Sequence, residues 1–183
     1  MDRVKLLRAD GRRNRERILA AAAELVGRDG AQASLEEVAR RAGVGSATLH
    51  RHFPSRQALL EAVFREGVAQ LCARATAKPG KEPAAELADW LEELTVYTAT
   101  HRGLAAALLA GPDGLSAEEI CCTGMVLDVL NVLVARASSV GALHAGATTE
   151  DLMQLANAIA VANEDDPLTA RRVLRLALTG IRP

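Results

Sequence analysis

Residues 34–59 read SLEEVARRAGVGSATLHRHFPSRQAL, and no other stretch constrains the chain as strongly. Leu35, Val38, Ala39 and Ala42 recur at helical spacing, and Ser34 with Glu37 makes a capping-box pattern ahead of them. Gly43 supplies the backbone freedom for a tight turn. A second short helix is expected over 46–52, anchored by Val44 and Leu49. Pro54 and Ser55 then break the chain, and Ser55 can cap a further helix over 56–73. Two short helices crossing steeply at a glycine form a helix-turn-helix. The outer side of its second helix is free to enter a major groove.

The rest of the sequence is also helical in pattern. Hydrophobic residues make up 49% of the 183, but aromatics only 2%, so the core must be built from Leu, Val and Ala, which favours helix over strand. Further helices are expected over 12–28, closed by Gly27 and Gly30, over 84–100, and briefly over 104–110. Ser116 and Glu119 form a capping box for a long helix ending near 139. The last two cover 149–162 and 167–179, with Asp166 as cap and Pro167 in the first turn. TAKPGKEP, residues 76–83, reads as a linker. No strand signal occurs, so the expected fold is all-α: a three-helix domain over 1–55 that carries the helix-turn-helix, and a helical bundle over 56–183.

No apolar run is expected to reach the roughly 18 residues that span a bilayer. The basic start MDRVKLLRADGRR lacks the apolar centre of a secretory signal. Cys72, Cys121 and Cys122 are odd in number and lack CxxC spacing, which suits a reduced, cytoplasmic chain. Adjacent cysteines on a helix point apart, which argues against Cys121 and Cys122 as a redox pair. The charge is uneven: residues 1–65 hold 13 Lys/Arg against 8 Asp/Glu, whereas residues 66–183 hold 9 against 15. A basic head on an acidic body suits a polyanion partner for the head. Arg3, Lys5, Arg8, Arg12, Arg13 and Arg15 make a basic arm, which can follow DNA or serve as a solubilising tail.

The stretches RERILAAAAELVGRDG and SLEEVARRAGVGSATLHRHFPSRQALLEAV, with their separation, resemble the tetracycline-repressor (TetR) family of bacterial transcription regulators. The resemblance is strong over about residues 12–65; beyond them it rests on layout and on the closing EDDPLTARRVLRLALTGIRP. It implies a dimeric regulator, usually a repressor, that binds a palindromic DNA operator and leaves it when a small-molecule effector enters the C-terminal domain. It also places His50, Arg51 and His52 beside the DNA backbone, where each can donate to phosphate. The family usually has an aromatic where this chain has His50. Gly45, Ser46, Ala47 and Thr48 would face the bases; Ser34 offers its hydroxyl and amide to a phosphate. Phe53 would be the core plug. Arg56 opposes the positive end of its own helix, a placement that suits a phosphate arriving from outside. Its loss is expected to weaken DNA binding without reducing thermal stability.

Other uses of these residues fit less well. His50 and His52 point about 200° apart on a helix, which is poor for one metal, and no HExxH or paired-cysteine spacing supports a metal site. No nucleophile or carboxylate stands beside them for catalysis, so neither an enzyme nor a cofactor is expected. A rival from another class is a helical ligand-binding or interaction module whose helix-turn-helix only packs.

In the body, Trp90, Leu94, Tyr97 and His101 form one stripe, and Cys121, Met125, Asp128 and Asn131 lie along the long helix. Facing each other, they would frame an effector pocket with a few polar anchors; alternatively the polar stripe faces solvent. Leu152, Leu155 and Ile159, with Leu174 and Leu178, are expected either to pair with a second copy as a four-helix interface or to be core.

Overall fold

The computed structural model describes residues 2–29, 33–76, 82–101, 117–144, 146–164 and 166–181. Among these residues there are eight helices and no strand: α1 (Asp2–Asp29), α2 (Leu35–Ala42), α3 (Ser46–His52), α4 (Arg56–Thr76), α5 (Pro83–Thr100), α6 (Ala117–Ser139), α7 (Thr149–Ala162) and α8 (Pro167–Ile181). The helix expected over 104–110, the capping box at Ser116, the closure at Gly30 and most of the linker lie outside the described residues. The chain divides into two compact units, Met1–Phe64 and Arg65–Pro183. The sequence-based border at 55/56 precedes α4, whereas the packing border falls inside it. Leu59, Ala62 and Val63 of α4 are buried in the core of the first unit.

That core gathers Ile18, Ala22 and Leu25 of α1, Val38, Ala39 and Ala42 of α2, Leu49 of α3, and Phe53. The α2–α3 turn is closed by backbone geometry. Gly43 adopts φ 62, its amide bonds to the Arg40 carbonyl at 3.1 Å, and the Val44 amide bonds to the Ala39 carbonyl at 3.0 Å. This paired closure needs a left-handed residue, which glycine alone adopts without steric cost. A Cβ at Gly43 would also collide with the Arg17 guanidinium. The same closure ends α6 at Gly141, φ 67.

Two expectations change in α1. Residues 2–9 are helical rather than an arm, and Gly27 lies inside the helix rather than ending it. Lys, Leu, Arg and Ala are strong helix formers, and just beyond them Arg13 with Asp10 and Arg12 with Glu16 pair one turn apart.

In the second unit α5 packs against α6, α7 and α8. Arg175 of α8 holds Glu92 of α5 through two bonds of 2.8 and 2.6 Å, and Arg136 of α6 pairs with Glu86 at 2.6 Å. Contrary to the sequence-based expectation, Cys122–Ser139 is long and apolar enough to cross a membrane. In this chain it is a packing helix, with Cys122, Val126, Leu130, Leu133 and Ala137 buried on one side.

Thr148 caps α7 reciprocally: its hydroxyl accepts from the Asp151 amide at 3.1 Å, and its own amide donates to the Asp151 carboxylate at 3.0 Å. The Asp166 carboxylate accepts from the Thr169 amide at 3.0 Å and the Thr169 hydroxyl at 2.7 Å, which lowers its pKa from 3.8. A lowered folded pKa means that this support is complete above the ordinary value. It fades as pH falls through the folded value. Asp166→Ala should therefore lower Tm at neutral pH, and thermal melts at falling pH should show its Tm converging on that of the wild type. A gap that persists into strong acid would mean that the charged cap is not the source.

Candidate nucleic-acid interface

Seven residues are too few for an independently stable helix, so α3 depends on its anchors. Leu49 is 1% exposed and Phe53, just past the helix end, is 3% exposed. The Phe53 ring carries the Arg15 guanidinium at 5.3 Å from its centroid. Arg15, expected in the basic arm, is thus half-buried support for the plug. Pinned on that side, α3 exposes Ser46, Ala47, His50 and Arg51, with Thr48 and His52 half-buried and Gly45 exposed at its start. The Arg51 Nη2 donates to the Thr48 hydroxyl at 3.1 Å. Seven of the nine expected DNA-facing residues thus lie on α3 or at its start, five of them exposed; Ser34 and Arg56 lie on other elements.

Ser34 is exposed and accepts from the Glu37 amide at 3.4 Å, a long capping bond. The Glu37 carboxylate is held by Arg40 through bonds of 2.7 and 2.6 Å, which lowers its pKa. Arg41 ties α2 to Glu24 of α1 at 3.0 Å.

The second unit departs from expectation. Trp90 and Leu94 are buried, and the Trp90 indole donates to the Leu71 carbonyl at 3.4 Å. Tyr97 and His101 are half-buried, their rings 4.0 Å apart, with His101 Nδ1 2.7 Å from the Tyr97 carbonyl. Burial lowers the His101 pKa and raises that of the Tyr97 phenol, which lies against Gly67 so closely that a Cβ there would overlap it. Met125 is half-buried, and its carbonyl accepts from the Cys72 thiol at 3.6 Å. Asp128 and Asn131, however, are exposed, on the side of α6 opposite Val126 and Leu130. Asp128 and Asn131 are thus not enclosed with Trp90 and Leu94, and Asn131 accepts from the Thr149 hydroxyl at 2.7 Å. The Cys121 side chain lies outside the described residues. The Thr95 and Thr98 hydroxyls and the Asn157 carbonyl oxygen are buried with no partner among the described residues, a feature that helical periodicity does not reveal.

The expected dimer residues are corrected as well. Leu152, Ile159, Leu174 and Leu178 are buried within one chain and Leu155 is half-buried; Leu152 and Leu178 also line an apolar cleft with Leu87 and Leu143. Among the described residues, the exposed large apolar side chains of α7 and α8 are Val161, Leu168 and Leu176.

The family described as bacterial regulatory proteins of the tetR family matches residues 18–63, and the C-terminal domain of SbtR-like transcriptional regulators matches residues 82–183. The chain belongs to the TetR family of transcriptional regulators. A solved TetR regulator of Streptomyces coelicolor is 34% identical, with 92% of this chain and 98% of that one covered and a TM-score of 0.69. Another from Mycobacterium vanbaalenii is 30% identical, with 97% and 99% covered and a TM-score of 0.67. No curated protein matches in sequence. The TetR-family chain is a DNA-binding transcriptional regulator, not an enzyme, and its N-terminal unit is the helix-turn-helix domain.

Within this TetR-family head, Arg56 makes a structural contact that its sequence position concealed. Its Nη1 donates to the Ala33 carbonyl at 2.7 Å, so the start of α4 holds the residue that precedes the α2 cap. The expectation that its loss leaves stability unchanged is thereby revised. Arg56→Ala should reduce unfolding free energy by about 0.5–1.5 kcal/mol in denaturant titration. If its remaining donors meet a phosphate, the salt slope of DNA binding should also fall by about one unit per subunit. An unchanged slope with lowered stability would leave Arg56 a purely structural clamp.

Proposed function

We propose that this regulator represses transcription in the cytoplasm as a homodimer on a palindromic operator and is released by a small-molecule effector held in the second unit. The observation that carries the reading is α3 itself: Leu49 and Phe53 anchor one side, while Gly45, Ser46 and Ala47 leave the other shallow and His50, Arg51 and His52 supply donors. Ser34 and Arg56 supply contacts to the DNA backbone. A palindrome needs two such helices at a spacing of about 34–36 Å or a multiple. The outward apolar side chains support pairing through α7 and α8, with Leu168 75% and Leu176 62% exposed and Val161 beside Ala158 and Ala162. Thr95, Thr98 and Asn157 support an effector with complementary polar groups, because buried polar atoms without partners are costly unless something satisfies them. Tyr97 and His101 join them as half-buried polar groups on α5 and at its end. A preference of the effector for the released form of about 1–3 kcal/mol would weaken operator binding about 5–150-fold.

Footprinting on genomic fragments should give symmetric protection that retreats at high salt. The double variant Leu168→Asp/Leu176→Asp should sediment as a folded monomer and lose that protection. Leu174→Asp should instead unfold the second unit, since Leu174 is fully buried. A wild type that sediments as a folded monomer would refute the pairing.

A further inference from the structure

The small outward residues of α3 raise the question of what reads the operator bases. At about 100° per residue, Ala47 and Arg51 both lie about 160° round the helix from the anchor Leu49, on the ridge farthest from the core. His50 and Thr48 lie about 100° from the anchor on either side, and His52 only about 60°, in keeping with its partial burial. A helix seated in the major groove turns its outermost ridge to the base edges and its flanks to the two phosphate walls. The position of Arg51 is therefore that of a base reader, whereas His50 and His52 sit on the flanks.

Two further observations concern its reach. Side chains on a helix lean toward its N-terminus, and the bond from Arg51 Nη2 to the Thr48 hydroxyl at 3.1 Å places the guanidinium back over the first half of α3. There Gly45, Ser46 and Ala47 put no bulk in front of it. The bond also orients both partners. The Thr48 oxygen accepts from Arg51, so its own hydrogen is available to a second acceptor, and the guanidinium keeps its other donors in a fixed fork.

We infer that Arg51, braced by Thr48, is a specificity-determining residue that reads a guanine in each operator half-site through its O6 and N7 acceptors. An arginine fork fits that pair of acceptors, while a lysine ammonium does not reproduce it. The inference rests on operator binding as proposed above and adds the base that α3 selects.

The test is selection of binding sequences from a random duplex pool by the wild type, Arg51→Ala, Arg51→Lys and Thr48→Val, followed by salt titration on the selected duplex. The wild type should enrich two symmetric half-sites, each with one G·C pair that depends on Arg51. Arg51→Ala and Arg51→Lys should both lose discrimination at that pair by about 5–150-fold while the other positions persist. Thr48→Val, which removes the brace and keeps the shape, should lose less. All four proteins should melt alike, since Arg51 is exposed and Leu49 is untouched. If Arg51→Ala instead weakens every duplex equally, lowers the salt slope by about one unit per subunit, and is rescued by lysine, Arg51 is a backbone contact and the inference is overturned. If the wild type enriches no sequence, sequence-specific operator binding fails, and the inference fails with it.

Discussion

The head of this regulator depends on the burial of Leu49 and Phe53. Helix α3 has seven residues and no side-chain cap at its start, so its own hydrogen bonds cannot hold it in shape. Complete burial of one such side chain contributes about 1.5–3 kcal/mol, enough to seat a helix that would otherwise fray. Because stability comes from the inner side, the outer residues can be small or polar at little cost to the fold. The anchoring thus permits Gly45, Ser46 and Ala47 to stand exposed at the start of α3.

The supports of that anchoring come from other helices. Arg15 of α1 covers the Phe53 ring, Arg41 of α2 reaches Glu24 of α1, and Arg56 of α4 holds the Ala33 carbonyl. From their place in the chain alone, Arg15 and Arg56 are candidates for DNA contact. Arginine combines a long apolar stem with several donors, so it can brace a neighbouring element and still present charge. A basic head therefore need not mean that every basic residue contacts DNA.

The second unit was less legible, and α8 shows the reason. Ala170, Leu174 and Leu178 line one side, and Leu168 and Leu176 stand on nearly the opposite one. Both sets are apolar, so periodicity alone gives no sign of which faces inward. The deciding facts are contacts with α5, including the bond from Arg175 to Glu92. On α6 a polar stripe beside an apolar one suits either a ligand or solvent, and Asp128 and Asn131 occupy the exposed side. The unpartnered Thr95 and Thr98 hydroxyls emerged only when their neighbours were known.

The sequence by itself determined the helical class, most helix limits, the glycine turn at Gly43 and the helix-turn-helix. These depend on local chemistry: capping side chains, a left-handed turn and the spacing of apolar residues are all read within a few positions of the chain. It did not reveal that residues 2–9 continue α1, since no stop signal separates an arm from a helix built of the same residues. Only the tertiary structure decided which apolar side of α7 and α8 is core, which arginines are braces and which ridge of α3 points outward. Those facts belong to pairs of residues far apart in sequence, such as Arg56 with Ala33 and Glu92 with Arg175, and burial is a property of what packs on a side chain rather than of the side chain alone.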